Sequence, residues 1–281
     1  MKITVAKDAG YCFGVRDAVN LAYDASDKYG DVYMLGSIVH NEEVVNDLEK
    51  VRARVVSNID EVPTGSPILF RAHGTVEKLW NKAKNKKMNI VDATCPLVYE
   101  IHNEVKKLSK DRRQIIVIGD HGHDEVIAIG DQVNNAIIIS SPKEAKKLRK
   151  MKRAGIVSQS TQDLQNVNEI IKILMSKVFD LHFVNTICFP TKRNHEQIEL
   201  IAKNHDVMII IGSFTSANSK RLSQLALKIN TDTHQVSSSS EINPKWFKNK
   251  ESIGISAGAS TPDYLINDVK NKIKKIYEVY I

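Results

Sequence analysis

KKMNIVDATC, residues 86–95, is the stretch that decides the fold. An apolar run breaks at Asp92 into a short polar turn that ends in a cysteine, the pattern of a buried strand leaving a sheet. Two other stretches read the same way: KITVAKDAGYC at 2–12 and LHFVNTIC at 181–188. Their cysteines, Cys12, Cys95 and Cys188, are the three in the chain and stand at near thirds of it. An odd count argues against a closed set of disulfides. No CxxC is present to suggest a zinc knuckle or a thioredoxin-type pair. One such thiol is ordinarily inert and buried, but three at equivalent strand ends suit a shared metal cluster.

Outward from these stretches, short β-branched runs alternate with amphipathic helical segments along the whole chain. About twelve strands are predicted, four per third: 3–6, 32–36, 53–56, 68–72, 89–93, 114–119, 136–140, 155–159, 182–186, 207–212, 234–238 and 252–257. Helical segments are read at 15–29, 42–51, 97–110, 164–178, 219–229 and 261–279, with basic, solvent-facing helical stretches at 76–87 and 141–153. This alternation predicts the α/β class with mainly parallel sheets. Three small α/β modules packed around a common centre are expected: 13–96, 97–187, and 1–12 joined to 188–281. The first strand returns to the last module because Cys12 comes too early to close its own. The repeat is read as architectural, since no motif recurs at a fixed short period.

The 281 residues are 42% hydrophobic, enough to fill real cores. The start, MKITVAKDAGYCFGV, does not read as a signal peptide, and no apolar run approaches membrane-spanning length. A reducing cytoplasm is therefore expected, with no membrane partner. The formal net charge of +7 and pI of about 9.1 suit nucleic acid, an acidic protein or an anionic substrate. The lysines and arginines lie mainly in helical stretches without a nucleic-acid motif, so no nucleic-acid partner is expected and an acidic redox partner is the alternative of interest.

In parallel α/β sheets, ligands bind where strands end and helices begin. The turns there read SIVHNEEV (37–44), RAHGTVEK (71–78), GDHGHDEV (119–126), VSQSTQD (157–163), GSFTSANSKR (212–221) and SAGASTPD (256–263). None is a GxxxxGK[ST] loop and no GxGxxG opens a helix, so neither an ATPase nor a dinucleotide enzyme is supported. The donors that remain, hydroxyl, amide and imidazole, match a small phosphate ester. Ser219, Thr161 and Thr261 read individually as helix caps. An imidazole is not a favoured cap, so His40, His73 and His123 read as ligand-binding groups. Among the six remaining histidines, His102, His182, His195, His205 and His234 read as surface or packing residues. Glu125 is the sharpest candidate for a proton donor, although it or Asp124 equally suits a helix start.

GYCFGV around Cys12, IVHNEEVV around His40, AHG around His73, DATCPLV around Cys95, GHDEV, TIC at Cys188, GSFTSANSKRL and AGASTPD occur in this order between residues 10 and 263. In these motifs the chain resembles the 4-hydroxy-3-methylbut-2-enyl diphosphate reductases, which complete the methylerythritol phosphate route to isoprenoids. The resemblance implies a pseudo-threefold trefoil around one 4Fe–4S cluster, held by Cys12, Cys95 and Cys188, with one iron open to the substrate hydroxyl. It implies diphosphate contacts from His40, His73, Ser216, Asn218 and Ser260. His123 is implied beside the substrate, Glu125 and Ser160 at its hydroxyl end, and Thr161 among the substrate-binding residues. The implied reaction adds two electrons and two protons and releases water. Reduced ferredoxin or flavodoxin is the implied donor. An electron carrier or sensor without chemistry would need the cysteines but not the histidine and glutamate set.

Three departures from the family pattern stand out. Ser160 occupies a place where threonine is usual. Ala217 interrupts the usual Ser-Ser-Asn, leaving open whether Thr215 supplies the missing hydroxyl. Asn194 and His195 stand where Arg-Gln is common, which touches contacts around the cluster rather than the cluster itself.

Overall fold

Residues 2–280 are described by a computed structural model, and their twelve strands form three four-stranded sheets in which every pairing is parallel. One sheet holds β2 (Val32–Leu35), β3 (Ala53–Val56), β4 (Pro67–Phe70) and β5 (Asn89–Asp92) in the order β3-β2-β4-β5. A second holds β6 (Gln114–Ile118), β7 (Ile137–Ile139), β8 (Met151–Ser158) and β9 (Val178–Phe183) in the order β7-β6-β8-β9. The third holds β10 (Val207–Ile211), β11 (Thr233–Val236), β12 (Ser252–Ala257) and the N-terminal β1 (Lys2–Val5) in the order β11-β10-β12-β1. All three follow one path. The first strand of a set lies between the second and third, and the fourth closes the edge. In the third sheet that edge strand comes from the other end of the chain, with Lys2 opposite Ser252 and Val5 opposite Ile255.

Parallel neighbours need a crossover connection, which the helices supply. The helices are α1 (Phe13–Tyr29), α2 (Glu42–Lys50), α3 (Glu77–Asn85), α4 (Pro96–Lys110), α5 (Asp124–Gly130), α6 (Pro142–Lys147), α7 (Leu164–Met175), α8 (Phe189–Lys203), α9 (Ala217–Ile229) and α10 (Asp263–Tyr280); α2, α3, α5, α7 and α9 connect consecutive strands that pair, while α1, α4 and α8 lead from one sheet to the next. Helices cover both faces of β10, so its sequence VMIII is apolar at every position rather than alternating. Val207, Ile209 and Ile211 pack with Val269 and Ile273 of α10, while Met208 and Ile210 meet Ile198, Leu222 and Ala226 of α8 and α9. Each fully buried isoleucine contributes roughly 1.5–3 kcal/mol of transfer free energy.

The chain divides into two compact units. One comprises Met1–Arg16, Val39–Asn46 and Phe189–Ile281 and holds the third sheet; the other comprises Asp17–Ile38 and Asp47–Cys188 and holds the first two.

Local readings shift in three places. The basic stretch 141–153 is helical only over Pro142–Lys147; Met151 already begins β8, whose register carries Arg153 to Asp180 on β9. The strand expected at 182–186 runs instead from Val178 to Phe183. Phe179, 91% exposed on this edge strand, conceals the alternation. The segment Phe189–Lys203 is a helix although its first half, FPTKRNHEQ, has little apolar periodicity.

Candidate active site

The common path of the three sheets places equivalent residues at equivalent strand ends. Five residues past the last residue of β2, β6 and β10 stand His40, His123 and Ser216; seven past stand Glu42, Glu125 and Asn218. Three residues past β4, β8 and β12 stand His73, Thr161 and Ser260. Cys12, Cys95 and Cys188 each immediately precede a helix, α1, α4 and α8 respectively. Each cysteine N–H donates to the carbonyl two residues beyond the third strand of its sheet: Cys12 to Ala259 at 3.3 Å, Cys95 to Ala72 at 3.0 Å and Cys188 to Ser160 at 2.9 Å. The repeat is therefore written in hydrogen-bond positions rather than in residue identity.

None of the three thiols is in a disulfide, and all are half-buried. A helix N-terminus favours a thiolate over a neutral thiol, so these sulfurs are suited to a positively charged metal centre.

In the unit that contains the first two sheets, Glu125 lies in the first turn of α5 and is 2% exposed. Its carboxylate accepts the backbone N–H of Ser160 at 2.6 Å and the Ser160 hydroxyl at 2.9 Å. A buried carboxylate needs such donors, since desolvation without them is prohibitive. The neighbouring Asp124 turns away and pairs with Arg71 at 2.5 Å, which separates the roles the sequence left open. His123 does cap α5: its Nδ1 accepts the Glu125 N–H at 3.2 Å. That bond makes Nδ1 the acceptor, so Nε2 carries the proton and is a donor. The His73 ring stands edge-on to the His123 ring at 5.5 Å between centroids.

Gln159, fully buried, supports the same turns. Its Oε1 accepts the Asp120 N–H at 3.0 Å and its Nε2 donates to the Thr161 hydroxyl at 3.1 Å.

In the other unit, three turns surround the end of the third sheet. The Ser260 hydroxyl donates to the His40 carbonyl at 3.2 Å, and Asn41 Nδ2 donates to the Ser260 carbonyl at 2.8 Å. Ser216 caps α9 by accepting the Ser219 N–H at 3.3 Å, which holds Asn218 in the first turn. Asn218 is 7% exposed, yet neither amide atom has a hydrogen-bond partner in the protein. Buried amides are normally satisfied, and a bound ligand would satisfy this one. Thr215 does not replace the hydroxyl absent at Ala217, because its Oγ1 is bonded to Glu42 and Ser213. Burial pushes the Glu42 carboxyl up. The Ser213 hydroxyl, the Glu42 N–H, the Thr215 hydroxyl and the nearby His40 outweigh it and leave the group below the usual carboxylate range.

The backbone comes unusually close to Ser219 in this region. A Cβ on Gly258 would lie 2.1 Å from the Ser219 Oγ, and one on Gly212 would lie 2.3 Å from it. Gly258 serves close packing of α9 on the sheet, and Gly212 combines that close packing with a positive φ of 157° at the strand end.

Asn41, Glu42, Gln159 and Ser213 were not singled out in the sequence. Their signal was their place in strand-end turns already marked as polar. Asn194, one of the unusual residues after Cys188, is buried on α8, and its Oδ1 has no partner in the protein.

Parallel sheets whose carboxyl ends carry a buried acid and an oriented imidazole in one unit, and an unsatisfied buried amide in the other, define an α/β enzyme with ligand-binding groups in its strand-end turns. The chain belongs to the LytB protein family, whose model matches residues 3–274. It is 37% identical over 277 residues to the 4-hydroxy-3-methylbut-2-enyl diphosphate reductase of Geobacter metallireducens and 36% identical to that of Geotalea uraniireducens, with 98% of each chain covered. Its fold is similar to the structure of E-1-hydroxy-2-methyl-but-2-enyl-4-diphosphate reductase from Plasmodium falciparum. The TM-score is 0.92 at 27% identity, over 96% of this chain and 87% of that one. A second reductase structure, described as the terminal enzyme of the non-mevalonate pathway, matches with a TM-score of 0.72 and 33% identity, over 98% and 100% of the two chains.

Proposed function

We propose that this chain reduces 4-hydroxy-3-methylbut-2-enyl diphosphate to a mixture of isopentenyl and dimethylallyl diphosphates. Two electrons and two protons enter, the allylic C–O bond breaks, one proton leaves with the oxygen as water and the other remains on carbon. The observation that carries this reading is Ser160, whose N–H and hydroxyl donate to Glu125 and whose carbonyl accepts the Cys188 N–H. A proton donor and a thiolate are thereby fixed to one residue.

In this reading Glu125 protonates the departing oxygen, with the Ser160 hydroxyl as the group between carboxyl and substrate. His123 offers its Nε2–H to the substrate. His40, His73, Ser216, Asn218 and Ser260 bind the diphosphate, and Thr161 adjoins its hydroxyl end. Neutral hydroxyl, amide and imidazole donors satisfy the phosphate oxygens, whose burial without hydrogen bonds would be costly. Cys12, Cys95 and Cys188 would hold a 4Fe–4S cluster; three thiolates leave one iron without a protein ligand, and the cluster when bound supplies electrons and a Lewis acid.

The division into modules at 13–96, 97–187, and 1–12 with 188–281 belongs to the same proposal, with Cys95 near the end of the first and Cys12 and Cys188 at the two chain segments that meet in the third. The basic net charge supports reduced ferredoxin or flavodoxin as electron donor, in the cytoplasm. No helix among the described residues is long and apolar enough to cross a membrane. Anaerobic turnover of the hydroxymethylbutenyl diphosphate with a low-potential one-electron reductant tests the reading. Formation of both products supports it, and a protein loaded with cluster that leaves the substrate unchanged refutes it.

A further inference from the structure

We propose that Glu42 is a positioning residue that sets the diphosphate-binding turn at Ser216–Asn218. The inference rests on the reading of that turn as a diphosphate contact.

Glu42 stands at the strand-end position that Glu125 and Asn218 occupy in the other two sheets, but its carboxylate is used differently. A single oxygen, Oε1, accepts the Ser213 hydroxyl and the Thr215 hydroxyl, both at 2.9 Å. Those two hydroxyls lie 2.7 Å apart, and the Thr215 N–H donates to the Ser213 Oγ at 3.0 Å. Oε1 is thus the fixed point around which residues 213–215 fold. The next residue, Ser216, caps α9, and Asn218 follows with its unsatisfied buried amide.

The residue before Glu42 fastens a different turn. Asn41 Oδ1 accepts the N–H groups of Glu43 and Val44 at the start of α2, while its Nδ2 holds the Ser260 carbonyl. Residues 40–42 therefore join His40, the Ser260 turn and the Ser213–Ser216 turn in one rigid set. A carboxylate facing a diphosphate directly would repel it. With Oε1 occupied by two hydroxyl donors, Glu42 acts on the anion through the turn and not by contact. This also accounts for Thr215, whose hydroxyl is spent on the turn and not on the ligand.

The test uses the anaerobically purified holoenzyme, with inorganic diphosphate as a calorimetric probe and steady-state kinetics with the full substrate. Glu42→Ala should weaken inorganic diphosphate binding and raise KM by about tenfold, with kcat at saturation within about twofold, as loss of hydrogen bonds to a charged group predicts. Glu42→Gln, whose amide oxygen still accepts, should recover affinity to within about threefold of the wild type. Thr215→Val removes one of the two hydroxyls, leaves Glu42 in place and should shift KM in the same direction. It keeps the inference testable if Glu42→Ala fails to fold. Combining Glu42→Ala with Thr215→Val should cost no more than the larger single effect. Unchanged diphosphate affinity in Glu42→Ala and Thr215→Val, strict additivity of the two, or a fall in kcat at constant KM would overturn the role. A wild-type enzyme that binds no diphosphate and turns over no substrate would overturn the functional reading and this inference together. Wild-type binding with indifferent variants overturns the inference alone.

Discussion

Ser160 donates its backbone N–H and its hydroxyl to the two oxygens of the Glu125 carboxylate, at 2.6 and 2.9 Å. Hydrogen bonds to a charged group of this kind are each worth roughly 1.5–3 kcal/mol. Replacing Glu125 by glutamine keeps an acceptor for the N–H but removes the exchangeable carboxyl proton. Glu125→Gln should retain its metal content and visible absorption while kcat falls by at least about a hundredfold, the usual range for loss of general acid catalysis. Parallel measurement of iron content and kcat checks this, and near wild-type turnover would remove Glu125 from the proton path.

Ser160 serves Cys188 through its carbonyl and Glu125 through its N–H and hydroxyl, so its side chain and backbone are separable. Ser160→Ala should therefore lower kcat by about tenfold, the scale of one hydrogen bond to a charged group, without altering iron content. Ser160→Thr restores the hydroxyl, with a methyl group that restricts its rotamers. Its kcat should return to within about twofold of the wild type, since the hydroxyl donor is retained.

The Ser219 hydroxyl is fully buried, has no partner in the protein and lies where a Cβ on Gly258 would come within 2.1 Å. Gly258→Ala should lower stability by roughly 1–3 kcal/mol, the range for overpacking. Adding Ser219→Ala, which removes the colliding oxygen, should recover most of it. Denaturant midpoints of the two single variants and the double variant measure the coupling.

His102 on α4 is 4% exposed, and burial together with Lys106 pulls its pKa down to about 4. Between the ordinary value near 6.5 and about 4, the unfolded chain binds the proton that the folded chain excludes. The contribution of neutral His102 is complete above pH 6.5 and is lost as pH falls toward 4, on the order of 3 kcal/mol in all. Unfolding free energies across this window should slope less in His102→Gln than in the wild type. Equal slopes would show that other groups govern acid sensitivity.

Much of this architecture was legible in the sequence because parallel strands leave apolar runs and their ends leave polar turns. NIVDATC and VMIIIGS show both at once. What was hidden depended on tertiary geometry. Arg153 reads as part of a basic helix until its pairing with Asp180 across β8 and β9 makes it a strand residue. His123 reads as a ligand-binding group because imidazoles seldom cap helices, yet in the fold its Nδ1 caps α5 by accepting the Glu125 N–H, which leaves Nε2 for the proposed ligand contact. Glu42 carries no signal in its own segment. Its partners Ser213 and Thr215 are distant in sequence, and the fold supplies that contact.

The proposed function depends on Cys12, Cys95 and Cys188 holding a cluster with one iron left for the substrate. The direct measurement is iron and sulfide content of anaerobically purified protein, followed on the same sample by turnover of the hydroxymethylbutenyl diphosphate. The protein should be brown and carry about four irons and four sulfides per chain, as a cubane requires. It should form isopentenyl and dimethylallyl diphosphates with two electrons consumed per molecule, and lose cluster and turnover together in Cys95→Ser. A colourless, metal-free preparation that forms the same products would contradict this dependence.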